Sequence, residues 1–529
     1  MKTFFKFKFL LIASFILVLT SCVKDLDKEP IYGLNSATVY NDFNNYKPLI
    51  AKVYGGLSLS GSNGPGSTDI AGLDGGSSGY VRVMWKLQEL TSDEAICGWT
   101  DAGIPDLNNN TWSSSNQFVN AMYYRIYYQI ALANDFLRNT ESDLLNKRSF
   151  TESQKNEISV FRAEMRFMRA LNYYHLIDMF GKGPFIPEDI GGDLPKERSR
   201  VDHFNYIESE LKAIENSMAN PRSLEYGRVD RGAAWFLLTK LYLNAKVYTG
   251  NDKYTDAAIY AKKVIDAGYT LETNYRKLFL IDNFQCTNEI IFPIISDGLK
   301  TQSFGTTTFL QNASLGGNMI ASDYGTNQKW GGLRAKQNLS VLFTDTFDRR
   351  NQLYTTSHRI EIQDTSKKAL NPVGDFKGGY AVPKFRNVSS LSKKIVGPNL
   401  LFCSADFPLF RLGDIYLMYA EALLRSGGSQ SEALDYVNKV RSRAYGNNSN
   451  NLSSISLDGI LDERARELHW EAIRRSDLIR FDKYAGGNYV WQFKGGIKNG
   501  VPIADNRKLF PIPQSELTAN PNISQNPGY

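Results

Sequence analysis

Cysteine and histidine are scarce in this chain, with four of each among 529 residues. Besides Cys22, which ends an apolar run, the cysteines are Cys97, Cys286 and Cys403. An odd number without C-x-x-C spacing allows at most one disulfide among these three, and the histidines form no H-x-x-x-H pair. The sequence therefore predicts neither a disulfide-stabilised fold nor a metal site, and no cofactor is expected.

Strong charge of either sign is also missing. The formal net charge is +6, and it falls to +3 once Lys2, Lys6 and Lys8 are removed with the first 21 residues. Proteins that bind nucleic acid concentrate lysine and arginine in one segment or on one face. Because this chain has no such basic block, we do not expect nucleic acid as a partner.

A hydrophobic run long enough to span a membrane is absent. The apolar run Phe9–Leu19 is interrupted only by Ser14, and it is shorter than the roughly 20 residues that a spanning helix needs. Lysines precede the run and the small residues Thr20 and Ser21 follow it, which is the pattern of a secretory signal. The alternative, a buried N-terminal helix, is disfavoured because no polar residues mark one face.

The four letters LTSC that end at Cys22 resemble a lipobox, where a signal peptidase cuts before the cysteine and the thiol is lipid-modified. The chain would then lose a signal peptide, residues 1–21, and residues 22–50 would form a lipid-anchored tether and N-terminal segment. Several acyl chains together hold a protein stably at a membrane, whereas one does so only marginally. An ordinary export signal with a chance cysteine is the alternative.

Helical periodicity is what the chain has in abundance. Apolar residues recur at steps of three to five in long segments, as they do on the buried face of a helix. The predicted helices cover residues 117–140, 156–181, 202–218, 230–248, 253–269, 411–427, 429–446 and 458–484. Their pairing, with small residues such as Ala257 and Ala261 opposite bulky ones, resembles tetratricopeptide helical hairpins.

Irregular sequence interrupts these hairpins. We expect a single domain over 51–529, with helical repeats at about 117–269 and 411–484 and an extended tail at 485–529. Glycine, serine and asparagine dominate the insertions at about 55–116 and 270–410, where only short strand-like pieces occur, such as 289–295 and 380–388. The predicted fold class is therefore mostly α, a tetratricopeptide-like scaffold with large irregular loop insertions and a few short strands.

Support for catalysis is weak. The letters GGSSG at 75–79 match a nucleophile elbow, but no strand precedes Ser77. The visible carboxylates are the Asp93–Glu94 pair and the series Glu463, Glu467 and Glu471, whose steps of four favour ion pairs within one helix. The sequence therefore predicts that the protein is not an enzyme.

Binding needs less, and aromatic rings in polar, irregular segments are the best candidates for it. Such rings stack on the C–H faces of sugars, while neighbouring polar groups bind hydroxyls; anchoring of the loops is the alternative role. The candidate ligand-binding residues are Trp99, Asp101, Tyr324, Asn327, Trp330 and Arg334. Of the other tryptophans, Trp112, Trp235 and Trp470 are expected in the core, and Trp85 and Trp491 are left open.

Four segments together resemble the SusD/RagB family of Bacteroidetes outer-membrane lipoproteins. They occur in the family's order and reach the C-terminus, and with the lipobox they extend the resemblance over essentially the whole chain. The segments are RAEMRFMRALNYYHLIDMFGKGPFI (162–186), RLGDIYLMYAEALL (411–424), ERARELHWEAIRRSDLIRF (463–481) and LFPIPQSELTANPNISQNPGY (509–529).

The resemblance implies about four tetratricopeptide-like hairpins on one side and the ligand site in irregular insertions on the other. It implies a surface-exposed protein, lipid-anchored to the outer membrane at Cys22, that passes an oligosaccharide to a SusC-like TonB-dependent transporter without doing chemistry. A peptide-binding member of the family is the alternative, and an envelope glycoside hydrolase is a distant third. Arg162, Arg169 and Glu467 match signature positions, and we assign them to structure.

Overall fold

The computed structural model describes residues 36–189, 191–354, 373–376 and 378–529. The predicted signal peptide, Cys22 and the first part of the tether lie outside these residues. Of the helices in the described ranges, none combines the length and the apolar character that crossing a membrane requires.

The architecture is mainly helical. The helices are α1 (Ser36–Val39), α2 (Tyr46–Ser58), α3 (Tyr80–Trp85, continued by a π-helical turn at Lys86–Leu90), α4 (Ile104–Asn109), α5 (Gln117–Asn139), α6 (Ser142–Asn146), α7 (Glu152–Met179), α8 (Arg200–Ile214), α9 (Arg231–Leu243), α10 (Ala245–Thr249), α11 (Tyr254–Asp266), α12 (Thr306–Ala313), α13 (Gln337–Ser340), α14 (Leu412–Ser426), α15 (Gln430–Tyr445), α16 (Leu457–Leu468), α17 (Arg474–Arg480) and α18 (Gln514–Ala519). The strands are β1 (Ala95–Cys97), β2 (Gly183–Pro184), β3 (Glu197–Arg198), β4 (Ile290–Ile294), β5 (Leu333–Ala335) and β6 (Phe407–Arg411).

Local sequence explains where the long helices begin. The side chain of Asn116 accepts hydrogen bonds from the first backbone amides of α5, and Thr151 with Gln154 forms a capping box at the start of α7. Both arrangements satisfy amides that have no partner within the helix. The predicted mostly α fold class is confirmed.

The helices pack in one continuous series. Helix α5 packs on α7, α7 on α8, α8 on α9, α9 on α11, α11 on α14, and α14 on α15 and α16. Residues 267–411 lie between α11 and α14 in the chain, yet the two helices are direct neighbours. The irregular insertion therefore leaves the helix stack after α11 and returns to it at α14. Ala257 and Ala261 are buried on α11, and side chains this small let helices approach closely.

Two predicted helices are each divided in two. Residues 230–248 form α9 and α10, with a turn at Asn244. Residues 458–484 form two helices, α16 and α17, because the chain turns between Leu468 and Arg474. Trp470 and Ala472 there have φ of 67° and 62°, in a region that bulky residues rarely adopt. The Trp470 ring is fully buried 5.3 Å from that of Trp85. Its burial accounts for the break, which helical periodicity does not reveal.

The strands form three antiparallel pairs among the described residues: β1 with β5, β2 with β3, and β4 with β6. The strand predicted at 289–295 is confirmed as β4. The one predicted at 380–388 is wrong, since Tyr380, Ala381 and Val388 make only isolated bridges. β1 and β5 matter most for the site, because they join the two insertions with Ile96 opposite Arg334.

The acidic series Glu463, Glu467 and Glu471 forms most of its ion pairs with other elements, and not within one helix as expected. Glu463 does bind Arg466 one turn away. The fully buried Glu467, however, bonds to Arg411 (2.6 Å) and Arg443 (2.5 Å), which lie on other elements. Arg411 also binds Glu471, which lies beyond the end of α16. We call Glu463, Glu467 and Glu471, with Arg350, Arg411 and Arg443, the buried ion-pair cluster.

Buried aromatic residues and thiols fill the core. Trp112 and Trp470 are buried as predicted, Trp85 and Trp491 are buried with them, and Trp235 is half-buried against the core. Cys97, Cys286 and Cys403 are also buried, and each is a free thiol.

Candidate functional site

A cleft opens where the pairing of β1 with β5 brings the two insertions together. Trp99 follows β1 by two residues and Trp330 precedes β5 by three, so the strand pair places both at one end. The indole N–H of Trp99 donates to the carbonyl of Trp330 at 3.1 Å. The cleft has a volume of about 350 Å³, and it is lined by Gly76, Arg82, Trp99, Asp101, Phe304 and Trp330. We call it the aromatic cleft.

The end of α12 holds the Trp330 side of the aromatic cleft in place. The backbone amides of Trp330 and Gly332 donate to the carbonyls of Asn312 (2.8 Å) and Ala313 (2.9 Å), which have no partner within the helix. A Cβ added at Gly332 would lie 2.5 Å from the Trp99 ring. Glycine at this position is therefore what allows the indole to lie against the backbone.

Two of the rings that line the aromatic cleft, Phe304 and Trp330, are tilted against each other, and Trp99 is tilted against the buried Phe309 behind it. The Trp330 centroid lies 6.3 Å from that of Phe304 at an interplanar angle of 50°, and Trp99 meets Phe309 at 6.1 Å and 59°. Trp99, Phe304 and Trp330 are only half-buried, so part of each apolar surface faces the opening. The tilt between Phe304 and Trp330 makes this part of the aromatic surface bent rather than flat.

Arg82 supplies the charge beside these rings. Its Nη1 donates to the carbonyls of Gly76 (2.7 Å) and Phe304 (2.9 Å), and its guanidinium lies 5.8 and 6.0 Å from the centroids of Trp99 and Trp330. Burial lowers the pKa of Arg82 to about 10, so the group stays protonated at neutral pH. It joins the 76 loop, the 304 loop and both indoles into one structure.

The structure divides the six candidate residues. Trp99, Asp101 and Trp330 lie together in the aromatic cleft, with Asp101 exposed at its rim. Tyr324 instead places its ring 5.1 Å from the guanidinium of Arg386. Asn327 is exposed, and its backbone amide donates to Leu400.

Arg334 is the candidate that lies deepest. Its side chain is fully buried, and its guanidinium donates to the carbonyls of Val373, Asp375 and Gly378. It therefore holds a loop next to β5, and like Tyr324 and Asn327 it is not among the residues that line the aromatic cleft.

Sequence reasoning missed Arg82 and Phe304. A signal for Arg82 was present, since it is the only charged residue in the apolar helix YVRVMW, where a charge needs a specific partner. Phe304 follows no such pattern, because it reaches the aromatic cleft only through the folding of the second insertion. The described residues hold no group of three or more His, Cys, Asp or Glu side chains that could bind a metal ion.

Two family models match the chain. Residues 318–529 match the model described as the SusD family, and residues 44–243 match the model described as starch-binding and associating with outer membrane. The starch-binding protein SusD of Bacteroides thetaiotaomicron is 35% identical over 96% of this chain and 96% of its own length. The SusD-like protein P25 of Formosa agariphila is 23% identical over 96% of this chain and 97% of its own.

Solved structures share the fold. A SusD homologue from Bacteroides thetaiotaomicron superposes with a TM-score of 0.73 at 21% identity, covering 93% of this chain and 98% of the other. The surface glycan-binding protein A of Bacteroides fluxus gives a TM-score of 0.69 at 19% identity, covering 92% and 99%. At such identities the likeness speaks for the architecture alone.

Proposed function

Because the chain belongs to the SusD family, we propose that it is a cell-surface protein that binds a starch-like glucan in the aromatic cleft. The observation that carries the proposal is the meeting of Trp99, Phe304 and Trp330 around the Arg82 guanidinium. The name of the relative that is 35% identical, a starch-binding protein, supports the same class of ligand.

The geometry favours a curved, uncharged sugar chain. Tilted rings match the faces of successive glucose units when the chain bends, as α-linked glucans do, whereas a flat ribbon of β-linked units would need nearly coplanar rings. The half-buried rings would stack on C–H faces, and Arg82 and the exposed Asp101 would bind hydroxyls at the edges. Tyr324, Asn327 and Arg334 have no part in this binding mode.

We propose binding without catalysis. A glycosidase needs two carboxyl groups roughly 5–10 Å apart on either side of the bond that it cleaves. The carboxylates that the sequence offered are committed elsewhere: Asp93 bonds to Arg474, Glu94 accepts from the Trp470 amide, and Glu467 lies in the buried ion-pair cluster. This favours a binding protein over the envelope hydrolase.

Delivery to a transporter completes the proposed role. We propose that the protein is anchored by lipid at Cys22 to the outer membrane, faces outward, and passes bound glucan to a SusC-like TonB-dependent transporter. The lipobox-like LTSC supports the anchor, and the description of the model that matches residues 44–243 supports the membrane. The charged residues after Cys22 would serve as the tether.

A panel of ligands tests the substrate class. We expect the full chain, purified in detergent, to bind maltoheptaose measurably in isothermal titration and to bind cellohexaose at least tenfold more weakly, because only the former bends to follow tilted rings. Binding of neither sugar, together with binding of an unrelated hexapeptide, would favour the peptide-binding alternative. Equal affinity for both sugars would contradict the argument from curvature.

Anchoring at Cys22 is tested by its replacement. We expect Cys22→Ala to move the protein from the outer-membrane fraction to a soluble fraction, because the thiol that carries the acyl chains is gone. The measurement is an immunoblot of fractionated cells, and Cys286→Ala is the matched control that leaves the distribution unchanged. A Cys22→Ala variant that stays in the outer-membrane fraction would refute the lipid anchor.

A further inference from the structure

A second concave pocket lies on the irregular side and has a different chemical character. It has a volume of about 430 Å³, and its lining includes Arg276, Arg349, Arg386, Lys393 and the serines Ser389 and Ser390. Four basic side chains from three separate segments meet there, since Arg386 and Lys393 lie on the same stretch of chain. Among the described residues, no aspartate or glutamate lines this pocket, which we call the basic pocket.

Arg386 is fixed at the base of the basic pocket. The side chain is buried, and its Nε donates to the carbonyl of Pro383 at 2.8 Å. Its guanidinium lies 5.1 Å from the ring centroids of both Tyr324 and Tyr354. Rings and neutral oxygens hold this buried guanidinium, and no carboxylate of the described structure bonds to it, so its paired N–H donors lie beside the cavity.

Arg349 forms an exposed wall of the basic pocket. It makes no ion pair with any residue that the structure describes, whereas its neighbour Arg350 is fully buried and bonds to Asp348 and Glu463. Its guanidinium lies against the C-terminal end of α15, where a Cβ added at Gly446 would lie 2.3 Å from Nη2. Adjacent arginines therefore differ: Arg350 lies inside the buried ion-pair cluster, whereas the exposed Arg349 lines both the basic pocket and a neighbouring cavity that Gly446 also lines.

The serine loop closes the other side. Ser390 donates to the buried Asp282 from its backbone amide (3.0 Å) and from its hydroxyl (2.5 Å), and Ser389 donates to the same carboxylate at 3.3 Å. The Asp282 carboxylate is therefore occupied by these hydrogen bonds, and they hold the serine loop in place. The exposed Lys393 follows on that loop and adds the fourth positive charge.

We propose that the basic pocket binds an oxyanion, a carboxylate, sulfate or phosphate group carried by a sugar-sized ligand. Planar guanidinium groups donate paired hydrogen bonds to such groups, and a cavity of this volume is within the range of small-molecule sites. The site is separate from the aromatic cleft in lining and in charge. A neutral glucan has no oxyanion for the basic pocket to bind. The proposal for the basic pocket is therefore independent of the glucan proposal.

Titration of the full chain with four probes at constant ionic strength tests this. The probes are inorganic phosphate, glucose 6-phosphate, glucuronate and uncharged glucose. We expect the three anions to bind and glucose not to compete with them. The Arg349→Gln variant should bind the anions about tenfold more weakly, since a hydrogen bond to a charged group contributes at least that factor. Lys300→Gln, an exposed lysine outside the basic pocket, should bind them as the wild type does.

A second variant, Lys393→Gln, guards against a fold defect, because this side chain is exposed and its replacement leaves the core intact. It too should weaken anion binding, while Trp330→Ala should not. Tighter binding of glucose 6-phosphate than of phosphate would support an oxyanion carried by a sugar, whereas equal binding would overturn the sugar-sized carrier and leave a site for a free oxyanion. No anion binding, or wild-type affinity in both basic-pocket variants, would overturn the basic pocket as an oxyanion site.

Discussion

Replacing Glu467 by glutamine is expected to lower the free energy of unfolding by about 3–5 kcal/mol, the usual cost of leaving buried charges without their partner. The carboxylate is fully buried and lies within ion-pair distance of Arg411, Arg443 and Arg350. A neutral amide would remove one of the buried carboxylates that balance these guanidinium groups in the core, although each keeps at least one other carboxylate partner. Chemical denaturation of the two proteins at neutral pH measures the difference.

The surface supplies the control for this experiment. Asp435 forms an exposed pair with Lys439 at i,i+4 on α15, and Asp435→Asn should cost less than about 1 kcal/mol. A Glu467→Gln variant no less stable than Asp435→Asn would contradict the structural role of the buried ion-pair cluster.

At acid pH, the difference in unfolding free energy between the wild type and Glu467→Gln should disappear. Burial by itself raises the pKa of Glu467, but the guanidinium groups of Arg443, Arg411 and Arg350 outweigh it and lower that pKa to about 2. Because the folded value lies below the unfolded one, the contribution is complete above about pH 4.5 and is lost as the pH falls toward 2. The two unfolding free energies should therefore converge over that window.

Replacing Trp330 by alanine is the second large change, and it acts on the proposed function. We expect it to weaken binding of maltoheptaose by roughly thirtyfold or more, about 2 kcal/mol, as for aromatic anchors at the centre of a binding surface. The change removes one stacking surface and one ring beside Arg82. Titration of the full chain with maltoheptaose measures it.

Trp235 provides a matched control for Trp330. It is also a half-buried tryptophan, but it lies on α9, where its indole N–H donates to Glu215. Trp235→Ala should lose some stability and keep the affinity for glucan. If Trp330→Ala binds maltoheptaose as the wild type does, the aromatic cleft is not the glucan site.

Helices were predictable because their signal is local. The periodicity at 117–140 and 411–427 reflects one buried face of a helix, and α5 and α14 follow these bounds within a residue or two. At 458–484, where the prediction departs furthest from the structure, the cause is a distant partner. Trp470 leaves the helix to pack on Trp85, which no pattern within that segment records.

Half of the candidate site was predictable for a similar reason. An aromatic ring in a polar, irregular segment is conspicuous, and this identified Trp99 and Trp330. The same signal could not separate Trp330, which lines the aromatic cleft, from Tyr324 six residues before it. The Tyr324 ring lies instead against the Arg386 guanidinium. Nor could this signal show that Arg334 is buried beneath a loop.

The sequence by itself determined the helical scaffold, the resemblance to a family, and the segments in which ligand-facing aromatics occur, because each depends on residues that are neighbours in the chain. Only the tertiary structure decided which of those aromatics meet. The pairing of β1 with β5, strands more than 200 residues apart in the chain, joins the two insertions, and α12 orients the second insertion. Burial then decides the role of each arginine, because a charge taken out of water needs a partner. Arg411 and Arg350 bond to carboxylates in the core, and Arg82 lies beside two indoles at the aromatic cleft. Arg349 lines the pocket that we propose binds an anion.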